Sequence, residues 1–136
     1  MRAAAMALLL GGLAQCEDSA AGGVAATAPS GLSHDLQEMV LEPQGAPMGS
    51  VRVVRLRYVA VEIADESAMG FEKIEGDFKW LCQTDGIARR DKSAPNAEQI
   101  VISIASEPVA FGEIAPSVVQ YFDAFRIENG DCIWDG

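Results

Sequence analysis

Very few residues in this chain could do chemistry: Cys16, Cys82 and Cys132, the single histidine His34, and a handful of arginines among many carboxylates. Cys82 and Cys132 lack Cys-x-x-Cys spacing, so they form no redox motif. In an oxidising compartment such a pair reads as a structural disulfide. His34, with Asp35 and Glu38 nearby, is too isolated for a metal site, which needs several convergent ligands. It reads as a solvated strand end. No Ser-His-Asp triad can be assembled without it, and no catalytic residue is assigned. The carboxylate groups Glu62, Asp65, Glu66 and Glu128, Asp131, Asp135 lack the regular spacing of a calcium loop. They read as acidic surface. No metal ligand set, phosphate loop or cofactor motif is present.

The basic residues fall into two groups, Arg55 and Arg57 with Arg52, then Arg89 and Arg90 with Lys92. Should the two adjoin, they would seat an anion or an acidic partner surface. Otherwise they pair with the surplus Asp and Glu. Trp80 is the other candidate contact. It falls on the helix side opposite the apolar stripe, exposed or else covered by a loop such as Ser67 to Gly70.

The 136 residues carry a formal charge of -10. That balance disfavours nucleic acid and anionic headgroups as partners. Ala3 to Ala14 is an apolar run behind Arg2, shorter than the roughly 20 residues that span a bilayer, and matches the core of a secretory signal. Residues 1–15 are therefore expected to direct export to the periplasm. Leu13-Ala14-Gln15-Cys16 resembles a lipoprotein cleavage box, in which Cys16 would be lipidated and anchor the protein facing the periplasm. Gln15 departs from the small residue expected there, and the alternative is cleavage after a residue such as Ala21, which discards Cys16. Residues 16–31, rich in Ala, Gly, Ser and Thr, read as a flexible tether, and residues 32–136 as one domain.

The elements that must hold these residues are legible to different degrees. Asn129-Gly130 between apolar runs marks a two-residue hairpin, since both turn positions need φ > 0. That register pairs Glu128 with Asp131, Ile127 with Cys132 and Phe125 with Trp134. Phe125, Ile127, Cys132 and Trp134 would then form one core face. Phe71 to Ile87 carries a helical stripe of Phe71, Ile74, Phe78, Leu81 and Cys82, with Gly86 as its stop. A Cys82–Cys132 disulfide would clamp helix to hairpin. Arg89 to Asn96 reads as a charged loop. Leu32 to Glu42 reads as a first strand with Leu36 and Val40 inward, and Val51 to Ile63 as a strand with a bulge or two buried faces. Gln99 to Ala105 reads as a central strand, Val109-Ala110-Phe111 as an edge piece or loop, and the residues from Gln120 as the last long strand. The expected fold is α+β: an antiparallel sheet of about four or five strands with one main amphipathic helix on one face.

From about Leu36 to Asp135 the chain resembles a small alphaproteobacterial family of exported domains of unknown function. The resemblance rests on Trp80-Leu81-Cys82, on Ile100-Val101-Ile102-Ser103 leading to Glu107-Pro108-Val109-Ala110-Phe111-Gly112, and above all on Tyr121 to Trp134. It implies export and the disulfide, but no activity. Members have been labelled acetolactate synthase, a far larger enzyme built around thiamine diphosphate that resembles nothing here. Two functional classes follow. One is a non-enzymatic envelope domain binding another protein or a small ligand through Trp80, the arginines or the outer sheet face. The alternative is a small periplasmic hydrolase-like or metal-assisted enzyme. A pocket converging on His34 or paired carboxylates would mark the enzyme, and a flat surface with exposed Trp80 the binder.

Overall fold

The computed structural model describes residues 27–136; residues 1–15, Cys16 and the first part of the tether lie outside the described residues. Five strands, β1 (Asp35–Glu42), β2 (Val53–Val59), β3 (Gln99–Ala105), β4 (Gln120–Glu128) and β5 (Asp131–Trp134), form one sheet in the order β1-β2-β3-β4-β5. The fold is α+β, with its main helix on one face of the sheet. The sheet is mixed rather than wholly antiparallel, because β2 and β3 run parallel. A parallel pair needs a crossover. The helical segment between the two strands supplies it.

That segment comprises a short helix α1 (Glu66–Met69), α2 (Phe71–Leu81), a π-helical turn over Cys82–Gly86, and α3 (Ile87–Ser93). Asp65 caps α1 by accepting from Ser67 N and Ala68 N at 3.2 and 3.3 Å. The Ser67 hydroxyl and these amides hold its carboxyl below its usual range. Ile74, Phe78, Leu81 and Cys82 are buried as the helical period predicts, whereas Phe71 at the start remains 38% exposed. Gly86 does not end the helix. A Cβ there would sit 3.3 Å from Ile100 Cγ2 and 3.5 Å from Leu56 Cδ1, so its bare backbone lets the π turn approach the sheet. The helix therefore runs on to Ser93, through residues expected to form a loop.

The helix-facing side of the sheet carries Val54, Leu56, Tyr58, Ile100, Ile102, Ile104, Phe125 and Cys132, all buried. In β1 the register shifts between Leu36 and Glu38. This bulge puts Leu36, Met39 and Leu41 on the helix side and turns Glu38, Val40 and Glu42 to the opposite face. Val40 is thus buried, but against the second face rather than the main core. The segment after β3 straps across that second face. Val109 O accepts from Gln37 Nε2 at 2.9 Å and from Arg57 Nη2 at 2.8 Å, and the Phe111 ring lies over both Arg55 and Arg57.

The β4–β5 hairpin has the expected register, with Phe125 opposite Trp134 and Ile127 opposite Cys132. Asn129 and Gly130 adopt φ of 51° and 78°. Cys82 and Cys132 are joined across 50 residues, with both side chains fully buried. Beside the bond, Gln83 fastens the hairpin tip by accepting from Cys132 N at 2.8 Å and donating to Gly130 O at 3.0 Å. Trp134 faces the helix side but is 63% exposed, which corrects its expected place in the core. It lies at the sheet rim, where its indole N–H donates to Asp123 Oδ1 at 2.7 Å. No helix among the described residues is long and apolar enough to cross a membrane.

Candidate functional site

Asp77 occupies a flank of the apolar stripe of α2 and is fully buried. A buried carboxylate needs partners. The segment before β1 provides them: Ser30 N donates to Oδ1 at 2.9 Å, the Ser30 hydroxyl donates to Oδ2, and His34 Nε2 lies 2.8 Å from Oδ2. The His34 side chain is only 1% exposed, so it is no solvated strand end. Ala28 is buried as well, and Pro29 packs beside Gly76, so residues assigned by composition to the tether are docked on the helix.

A carboxylate that accepts all three bonds requires the proton on His34 Nε2. In the neutral ring the other nitrogen, Nδ1, is an acceptor. It is buried and has no hydrogen-bond partner among the described residues. His34 lines a cleft of about 350 Å³ together with Leu32, Tyr58, Trp80, Thr84 and Asp85, while Asp77 lies behind the ring. Trp80 is half-buried in this wall, next to residues 27–34 rather than to the Ser67–Gly70 segment.

The floor is a second polar cluster. Tyr58 reaches up from β2 and donates its hydroxyl to Asp85 Oδ2 at 2.5 Å, and Arg89 Nε donates to the same oxygen at 2.8 Å. Burial, then the Asp85 carboxylate, pushes the Tyr58 phenol far above its ordinary value, so it remains a donor. Asp85 in turn raises the Arg89 guanidinium. The π turn positions this cluster: its extra residue aims Asp85 at the sheet, and the Thr84 hydroxyl bonds back to Trp80 O at 2.7 Å. Such turns recur at functional sites.

The two arginine groups meet only at their ends, where Arg52 and Arg90 line one recess with Arg126, Glu98 and Glu128. Arg55 and Arg57 lie on the second face, paired with Glu42 and Glu38 beneath Phe111, whereas Arg89 and Arg90 lie on the helical layer. Arg90 binds Asp91 and Ala97 O at 2.9 Å each, and Arg52 pairs with Glu98. Arg52, Arg55, Arg57, Arg89 and Arg90 each pair with a carboxylate. Among the described residues no cluster of three or more His, Cys, Asp or Glu could hold a metal.

The sequence reading missed Asp77, Tyr58 and Asp85 as site residues. The readable signal was an acid on the apolar stripe of α2, one helical turn from Ile74 and Leu81. Nothing in the sequence paired it with Ser30 and His34.

A sheet clamped by a disulfide to its crossover helix, with a polar-floored cleft walled by Trp80, defines a small two-layer α+β domain with a ligand-sized recess. The chain belongs to a family of unknown function (DUF6497), which matches residues 9–136. No curated protein and no solved structure matches it.

Proposed function

We propose that this protein is an exported, non-enzymatic envelope domain that binds a small ligand in the Trp80 cleft. The observation that carries the reading is the gathering of Trp80, Tyr58, His34 and Asp85 around one recess of about 350 Å³. Ligand sites commonly combine an apolar wall with a few fixed polar groups, in volumes of about 300 Å³ and upward. A recess at His34 with Trp80 half-buried is the arrangement set out above for an enzyme, but among the described residues the hydrolytic alternative has no nucleophile placed against the imidazole. The Ser30 hydroxyl donates to Asp77 and not to His34, and no hydroxyl among the described residues bonds the free imidazole nitrogen.

The export reading rests on the apolar leader and on the Cys82–Cys132 bond, which suits an oxidising compartment. Lipidation at Cys16 would hold the domain at a periplasmic membrane surface. Cys16→Ser should then release the protein into the soluble fraction, and unchanged partitioning would count against the anchor. For binding, Trp80→Ala should preserve the fold and abolish retention of small molecules carried through native purification from envelope extract. Equal retention by both forms would remove the cleft as the site.

A further inference from the structure

The helical layer leaves the β4–β5 corner of the sheet open, and a groove runs along it. Phe71, Glu75 and Lys79 recur on one flank of α2, and Asp123, Phe125 and Trp134 face them across about 470 Å³. Phe125 is buried at the floor, whereas Trp134 is 63% exposed and Phe71 38%. The Trp134 ring is held in place: it stands opposite Phe125 in the hairpin and donates to Asp123 Oδ1. Fixed, exposed tryptophans beside apolar grooves are the anchors that dominate protein interfaces. This groove shares no lining residue with the Trp80 cleft.

The charges on the α2 flank indicate the partner. Glu75 and Lys79 are both exposed, one helical turn apart, and neither forms an ion pair among the described residues. A flank that carries both signs complements itself once it is turned end for end. A two-fold axis across the groove makes that turn, and such self-complementary contacts are the commonest in homo-oligomers.

We propose that the Trp134 groove is the interface of a weak homodimer. In it α2 runs antiparallel to α2 of a second copy, Glu75 meets Lys79 of the other chain twice, and the two Trp134 rings close the groove. The apolar part of the contact is a pair of tryptophans and a pair of phenylalanines. At roughly 150–250 Å² for a fully buried aromatic, it stays below the roughly 1,600 Å² of a standard interface, which makes the dimer a readily dissociating one. The charge of -10 on each copy opposes association over long range. In about 0.15 M salt the screening length is about 8 Å, so that repulsion fades while pairs in contact persist.

The test is sedimentation equilibrium of the purified Cys16→Ser protein from about 10 μM to about 1 mM, the range in which contacts of this size come apart. A weight-average mass that rises toward twice the monomer is expected. Monomer at every concentration would overturn the pairing and leave the groove to a partner of another kind. Glu75→Lys and Lys79→Glu should each weaken association about tenfold, because symmetry sets like charges together twice. Mixed in equal amounts, the two variants should recover the parent's affinity, since each supplies the charge that the other needs. A dimer indifferent to either reversal, or a mixture no tighter than its components, would overturn the antiparallel contact. Trp134→Ala should keep the parent's circular dichroism spectrum and lose the dimer throughout this range, and dimers that survive it would place the interface elsewhere.

Discussion

His34 Nε2 lies 2.8 Å from Asp77 Oδ2, and this contact spans 43 residues of chain to fasten the segment before β1 onto the main helix. It holds residues 30–34 against the helical layer. It also leaves Nδ1 of the imidazole without a hydrogen-bond partner among the described residues.

Replacing Asp77 by Ala should therefore loosen both ends of that relationship. The variant leaves Ser30 N, the Ser30 hydroxyl and the buried His34 ring without their acceptor. A loss on the order of 3 kcal/mol is expected, since unpaired buried polar groups cost about 1–3 kcal/mol each. Chemical denaturation measures the loss, and limited proteolysis should cut between residues 27 and 34. An unchanged midpoint would show that this cluster contributes nothing.

The Cys82–Cys132 bond closes a 50-residue loop. In the chain-entropy view its removal costs about 4 kcal/mol. Thiol titration of the denatured, unreduced protein should find neither cysteine free. The Cys82→Ala, Cys132→Ala double variant should melt well below the parent. Two free thiols would refute the clamp.

Tyr58 makes stability depend on alkaline pH. Burial and the Asp85 carboxylate raise its folded pKa above the ordinary 10.0, so the folded state keeps a proton that the unfolded chain releases. Its contribution is complete below pH 10 and declines as pH rises past that value. Denaturation series from pH 8 to 11 should show a steeper fall for the parent than for Tyr58→Phe. At neutral pH, Tyr58→Phe should cost about 1.5–3 kcal/mol for the lost bond to a charged acceptor.

Two glycines of the helical layer should answer substitution oppositely. Gly76→Ala places its Cβ in ordinary contact with Pro29, at 3.4 Å, and gains helix propensity. It should stabilise by about 0.5–1 kcal/mol. Gly86→Leu drives a side chain into Ile100 and Leu56 and should cost about 3 kcal/mol, the upper range for overpacking. Thermal melts of the pair decide the point. A harmless Gly86→Leu would mean that the π turn stands off the sheet.

Much of this architecture could be read from residue order alone, wherever the determinant was local. Asn129-Gly130 set the hairpin turn and register, because few other pairs accept φ > 0 twice in succession. The spacing of Ile74, Phe78, Leu81 and Cys82 set the buried face of α2, and it put Cys82 where the hairpin could meet it. Tertiary structure alone decided what depends on distant partners. The parallel pairing of β2 with β3 follows from the path of the crossover. Trp134 is exposed because the helical layer does not cover that corner of the sheet. Gly86 continues a helix because a bare backbone fits against Ile100, which no local pattern announces. The cleft itself is assembled from the Thr27 to His34 stretch, from Tyr58 and from the Trp80 to Asp85 stretch, three pieces brought together only by packing. Hydrogen bonds between groups more than 40 residues apart leave no periodic trace, and for that reason His34 reads as solvent-exposed in the sequence and is buried in the fold.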